Sequence, residues 1–446
     1  MTLPADDATG AILARLRAAS VGRRAATIGL LQTLIAAQRD GEAAVQARVA
    51  EAFAALGVAV ETVAYDPAAV PLVGEFAAPR ATPAETRTCV VARLKGRGDG
   101  RSLIFFAHPD SEPLAGLDTW TRDPFAGTIE DGRIYGWGVA DDLAGVAAMV
   151  GAVDLIRAAG LEPDGDVILV STPSKRHARG VSALLHGGLT ADAAVYLHPA
   201  ESGAGLAEVK AFASGQLEFR IDVPGRGPDT TEPLQTAFAH QAIDPIAKGA
   251  YVRAALRQLE AERAARIRHP LLEAAVGRST NIMVSHVVAG SLDALARAPE
   301  LCTVAGAVSF PPGETLEAVA EELAGAVRTA AANDPWLAAH PPTVRFLAGV
   351  SPAETPADSP LFRSVAQAVE AVTGRAPFVN PMHTASDIRN PIVQKGIPTV
   401  GLGPLGGDLT QNGRIDEWVD LEDHLRAVEA AAAIVATWCG LGAVRA

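Results

Sequence analysis

Short apolar runs recur along this chain between stretches of helical spacing. Residues 102–107 (SLIFFA), 165–172 (GDVILVST), 193–197 (AAVYL) and 398–403 (PTVGLG) are nearly continuous in apolar residues, as strands covered on both faces of a sheet are. Cys89–Leu94 and VAVETVAYD (58–66) read as two more strands. Apolar positions at helical spacing mark 25–39 and 42–56, the second closed by Gly57 in the manner of a C-cap glycine, then 143–159, 359–372 and Leu421–Trp438. Strands alternating with helices predict an α/β fold with a mixed, mostly parallel sheet and helices on both faces. At Phe212 the period changes. LEFRIDV (217–223) alternates as a half-covered strand does, and a Pro- and Gly-rich loop, PGRGPDTTEP, follows it. A helix over Gly249–Arg268, strand-like runs at Asn281–Val288 and Cys302–Phe310 and a helix over Glu314–Ala332 complete a β-α-β-β-α order, which predicts a ferredoxin-like α+β insertion. Thr343–Leu347 is read as the return to the first domain. The expected division is 1–211 and 339–446 for one domain and 212–338 for the insertion.

Composition narrows the class. The chain has 446 residues, beyond one ordinary core, with 49% hydrophobic and 20% charged residues. A net charge of -13 argues against nucleic acid or an anionic membrane as partner. No apolar run approaches the roughly 20 residues of a membrane span, and the first residues lack the basic-then-apolar order of a secretory signal. Cys89, Cys302 and Cys439 are far apart and form no metal-spaced cluster, consistent with a reducing cytoplasm.

The chemistry concentrates where the 102–107 strand ends. His108 and Asp110 stand one residue apart there, on the same face of an extended chain. Downstream come Trp120, Asp123-Pro124-Phe125, Asp131-Gly132, Tyr135-Gly136-x-Gly138, and Asp141 opening an Ala- and Val-rich helix. In these ordered pieces the chain resembles the aminoacylase, acetylornithine deacetylase and succinyl-diaminopimelate desuccinylase family of zinc-dependent exopeptidases and deacylases. The resemblance implies a catalytic domain with an inserted lid that also mediates dimerisation, and usually two zinc ions. It assigns His108 and the bridging Asp141 to the metal, and Asp110 to orienting the histidine.

Two departures from the family pattern follow. The third ligand, an acid before a proline, is His198-Pro199 here, and a neutral imidazole can still bind zinc, manganese, cobalt or iron. Where the family has a glutamate pair, one the general base and one a ligand of the second ion, the chain reads Ser174-Lys175-Arg176. Where it has a late histidine, the chain reads Asn412-Gly413. The resulting expectation is a single divalent transition metal held by His108, Asp141 and His198, with Lys175 and Arg176 beside it. His177, His383, Asp387 and Asp408 are candidates for the lost base. Arg389, Asn281 and His240, the last placed near a family histidine that reaches across a dimer, are candidates for binding an anionic small molecule. The other histidines, His424 among them, read as exposed.

The expected activity is hydrolysis of a C–N bond in a small carboxylate-bearing substrate by a homodimer or higher homo-oligomer. Aromatic deamination, as in the family member 5-nitroanthranilate aminohydrolase, is one form of it. A two-metal deacylase or dipeptidase using acids such as Glu201 or Asp142, and a non-catalytic binding homologue, are the alternatives.

Overall fold

The computed structural model describes residues 5–77, 82–114, 116–198, 202–382, 386–407 and 415–444. The chain opens with α1 (Ala5–Ala37) and α2 (Glu42–Ala55). The first helix begins twenty residues before the periodicity alone places it, in a stretch rich in Ala, Leu and Arg, strong helix formers. Then come β1 (Ala59–Tyr65), β2 (Glu75–Ala77), β3 (Arg87–Leu94) and β4 (Leu103–Ala107). After α3 (Ala144–Ala158) follow β5 (Val167–Ser171), α4 (Gly180–His186) and β6 (Ala193–Leu197). The second unit contributes β7 (Gly215–Pro224), α5 (Pro245–Arg266), β8 (Asn281–Ala289), β9 (Leu301–Phe310), α6 (Leu316–Ala332) and β10 (Thr343–Val350). The chain ends with α7 (Pro360–Thr373), α8 (Arg389–Lys395), β11 (Thr399–Leu402) and α9 (Leu421–Ile434). Local signals set these limits. Ser359 caps α7 by accepting from Phe362 N, Pro360 occupies its first turn, and Gly374 ends it at φ 76°.

The first sheet runs β1-β3-β5-β4-β6-β11, with β5, β4, β6 and β11 parallel to one another and β1 and β3 antiparallel at one edge. Every residue of β4, β5 and β6 is buried, because α1, α3 and α9 cover one face and α4 lies against the other. The second sheet, β8-β9-β7-β10-β2, is wholly antiparallel, and the alternating burial of β7 follows from helices on one face only, α5 and α6. Thr343–Val350 therefore does not return to the first sheet. It pairs with β7 from Asp222↔Thr343 to Gln216↔Val350, and on its other side takes up β2. The strand alternates like β7, which suits a sheet with one covered face, and the sequence reading missed that shared period. Among the described residues no helix is long and apolar enough to cross a membrane.

One buried group gives a pH test of this core. His424, in α9, is 0% exposed rather than a surface residue, and neither ring nitrogen has a hydrogen-bond partner among the described residues. Burial holds its imidazole down at about 4. Below pH ~6.5 the unfolded chain takes up a proton that the folded chain refuses, so stability should fall by up to about 3 kcal/mol between pH 6.5 and 4. His424→Leu should flatten that part of the melting-temperature profile; an unchanged acid limb would mean that other groups set it.

Candidate active site

Three neighbouring parallel strands end side by side, and the residues just past their C-terminal ends converge, where open α/β sheets place their ligands. His108 follows β4, His198 follows β6, and Lys175 lies in the turn after β5. Asp141 comes from the tight turn ahead of α3. There Gly138 takes φ 72°, and a Cβ at Gly145 would lie 1.7 Å from the Leu197 carbonyl oxygen, so this glycine lets the helix press on the end of β6.

Asp141 is the centre. Its Oδ1 is 2.9 Å from His108 Nε2 and 3.1 Å from His198 Nε2, and its Oδ2 accepts from Lys175 Nζ. The two imidazoles and the carboxylate are buried, with one donor atom from each lying within 4.8 Å of the others. Burial pushes the Asp141 carboxyl up, but the Lys175 charge and the hydrogen bonds from both histidines outweigh it and hold it well below the usual range. Burial lowers His108, but its bonds to Asp110 and Asp141 win and raise it well above an ordinary imidazole.

The supporting residues depart from expectation in one respect. The acceptor for His108 Nδ1 is the Asp110 carbonyl oxygen, 2.8 Å away, while the Asp110 carboxylate is 3.5 Å off. That carboxylate accepts the backbone N–H groups of Ser174 and Lys175, each at 2.8 Å. Asp110 thus orients His108 through its backbone and holds the turn carrying Lys175 through its side chain, because a carboxylate is the better acceptor for two adjacent N–H groups.

Two further residues belong to the site. Glu417, fully buried, accepts from the N–H groups of Gly138, Ala140 and Asp141 at 2.9, 2.8 and 3.2 Å, and so fixes the Asp141 turn. Burial and the Asp141 charge push its carboxyl up to about 8. Lys210, 2% exposed, donates to His198 Nδ1 at 2.6 Å, which leaves the ring proton on Nε2 facing Asp141. The visible signal for Lys210 was a lone cation inside the apolar run VKAFA, and for Glu417 an acid directly before Trp418-Val419.

Asp387 accepts from Ser174 Oγ and, at 3.1 Å, from Asn390 Nδ2. A cavity of about 270 Å³ next to the cluster is lined by Lys175, His177, Arg179, Asp387, Arg389 and Glu75, among others. His240 and Asn281 are exposed on the second unit and do not line it. His383, Asp408, Glu201, Asn412-Gly413 and the Arg176 side chain lie outside the described residues.

The donor set fits a metal ion. Separations of 2.9 and 3.1 Å suit donors sharing one cation about 2.0–2.2 Å from each, and a carbonyl on His108 Nδ1 is an ordinary partner for a ligating histidine. Ion binding would displace the proton that His108 directs at Asp141, whereas His198 could ligate through Nε2 as a neutral imidazole only with its ring proton moved to Nδ1, the nitrogen that faces Lys210.

A mostly parallel α/β sheet with two imidazoles and a carboxylate at its strand ends, joined to an antiparallel lid-like unit, defines a two-unit hydrolase of the metal-dependent kind. Residues 104–437 match the model of peptidase family M20/M25/M40, and the chain belongs to that family, whose members are metal-dependent hydrolases of amide and peptide C–N bonds. The chain is 26% identical over 370 residues to the N-formyl-4-amino-5-aminomethyl-2-methylpyrimidine deformylase of Bacillus subtilis, covering 78% of this chain and 83% of that one. It is 28% identical over 366 residues to the succinyl-diaminopimelate desuccinylase of Rhodospirillum centenum, with the same two coverages, 78% and 83%. In fold it is similar to the dipeptidase Dug1p of Saccharomyces cerevisiae, with a TM-score of 0.65 at 14% identity, covering 96% of this chain and 98% of the other.

Proposed function

We propose that this protein hydrolyses a C–N bond of a small carboxylate-bearing substrate at a single divalent transition metal, Mn, Zn, Co or Fe, held by His108, Asp141 and His198. The observation that carries this reading is the Lys175 ammonium on Asp141 Oδ2, across the carboxylate from the two imidazoles. A bridging aspartate of a two-ion centre gives one oxygen to each ion; here a side-chain cation takes the second place. Like charges ~4 Å apart repel by ~4 kcal/mol even at an effective dielectric of 20, which opposes a second divalent ion.

A bound ion supplies Lewis acidity for the attacking water and the scissile group. The chain supplies the rest. Asp141 neutralises the converging cations, Glu417 and Asp110 hold the two turns, and Lys175 offers N–H donors to negative charge that develops on the substrate. Two acyl-removing relatives, a deformylase and a desuccinylase, support cleavage of an amide. The same ammonium would stabilise an anionic ring intermediate, which supports aromatic deamination as the second reading. Exposed Met283, Val287 and Val288 on the edge strand β8 support a homodimer formed through the second unit.

Metal analysis of purified protein tests the reading. About one ion per chain is expected, and His198→Ala should lose it while keeping its circular dichroism spectrum; two ions per chain would instead support a two-metal deacylase or dipeptidase. Screening N-acyl amino acids against aminobenzoates, for acid or for ammonia release, separates amide hydrolysis from deamination.

A further inference from the structure

Each histidine of the candidate centre stands two residues past an aromatic one: Phe106-x-His108 at the end of β4 and Tyr196-x-His198 at the end of β6. These strands are parallel neighbours, and Phe106 faces Tyr196 across the ladder. The two rings stack with planes 7° apart and centroids 4.8 Å apart, which is about the spacing of adjacent strands. One step further along, the His108 and His198 rings form a second rung, 5.6 Å apart and tilted by 35°. Both aromatic side chains are buried, Phe106 at 1% and Tyr196 at 5% exposure.

Tyr196 meets all three of the other rings. Its centroid lies 4.8 Å from that of Phe106, 4.8 Å from that of His198 and 6.4 Å from that of His108. Residues i and i+2 of a plain extended strand stand about 6.6 Å apart. His198 comes closer because the chain bends there, its N–H donating to the Tyr196 carbonyl oxygen at 3.1 Å and to the Leu402 carbonyl oxygen at 3.0 Å. The bend lays the imidazole against the Tyr196 ring, with 31° between the planes.

His198 is held at Nδ1 by Lys210 and at Nε2 by Asp141. Turning the ring about the line that joins those two partners leaves both distances unchanged, and the terminal torsion of a histidine is soft. The hydrogen bonds therefore leave the tilt open. A ring packed against the imidazole closes it, and a ligating nitrogen has to point at its ion.

We propose that Tyr196, braced by Phe106, is a positioning residue that sets the tilt of His198 against His108, and so the geometry in which the two imidazoles meet one ion. This role rests on the single-metal reading above for its ion; the tilt of the ring belongs to the chain alone.

The test uses the full chain with isotope-labelled histidine, first freed of metal by chelation and then titrated with Co(II). In the metal-free protein the Cε1–H group of His198, identified by its loss in His198→Ala, should relax as rigid backbone does. Its mobility should rise in Tyr196→Leu and stay at the wild-type value in Tyr196→Phe, which keeps the ring. Tyr196→Leu should also bind Co(II) about 10- to 100-fold more weakly and with altered visible absorption bands, while Tyr196→Phe matches wild type. Melting temperature shows whether each variant folds. Phe106→Leu, which leaves Tyr196 without its brace, supplies the same comparison should Tyr196→Leu not fold. Unchanged ring mobility, or Co(II) bound with wild-type affinity and bands, overturns the assignment, as does an equal change in Tyr196→Phe. If wild type takes up no Co(II), the single-metal reading fails, and the mobility of the metal-free ring still decides the role of Tyr196.

Discussion

Asp141→Asn should leave a folded chain whose affinity for a divalent ion is down by more than about a hundredfold, with turnover falling alongside. Asparagine keeps the shape and one carbonyl oxygen but removes the charge on which His108, His198 and Lys175 converge. It also leaves the Lys175 ammonium without its anion in a site mostly shielded from water, at a cost of about 3 kcal/mol in stability. The two losses are read separately, metal uptake by equilibrium dialysis and stability by thermal melting. Uptake that matches wild type would remove Asp141 from the site and with it the single-metal reading.

Lys175→Met is expected to move two quantities in opposite directions. Turnover should drop by about 10² to 10³, the usual size of losing one preorganised donor to developing charge, with KM little changed. Affinity for the one ion should rise, because the charge competing for Asp141 has gone. A lysine that merely filled space would not produce this pair of changes. If kcat is unaffected while the ion binds more tightly, the residue only excludes the second metal.

Most of the first sheet was readable because β4, β5, β6 and β11 are buried on both faces and so appear as nearly unbroken apolar runs, and the helices between them carry the matching period. His108, Asp141 and His198 were readable for a related reason: each lies next to such an element, and topology brings the ends of adjacent parallel strands together. The second sheet was harder. β10 alternates as β7 does, but nothing in a period of two states which sheet a strand joins, and the three residues of β2 are too few to carry any period. Glu417 and Lys210 were hidden because their roles depend on backbone N–H groups and a ring nitrogen supplied by segments remote in sequence. Asp110 lies beside His108, but which of its oxygens meets the ring depends on the geometry of the turn.

The course of β2 bears on how the protein can be taken apart. Residues 75–77 leave the first unit to form the outer strand of the second sheet, beyond β10, before the chain returns as β3. A cassette cut at 212 and 338 would carry away three of five strands and leave β10 and β2 behind with an unsatisfied edge. Chimeras that exchange lids between relatives should therefore move β10 and the 75–77 segment with the cassette, or redesign the exposed seam.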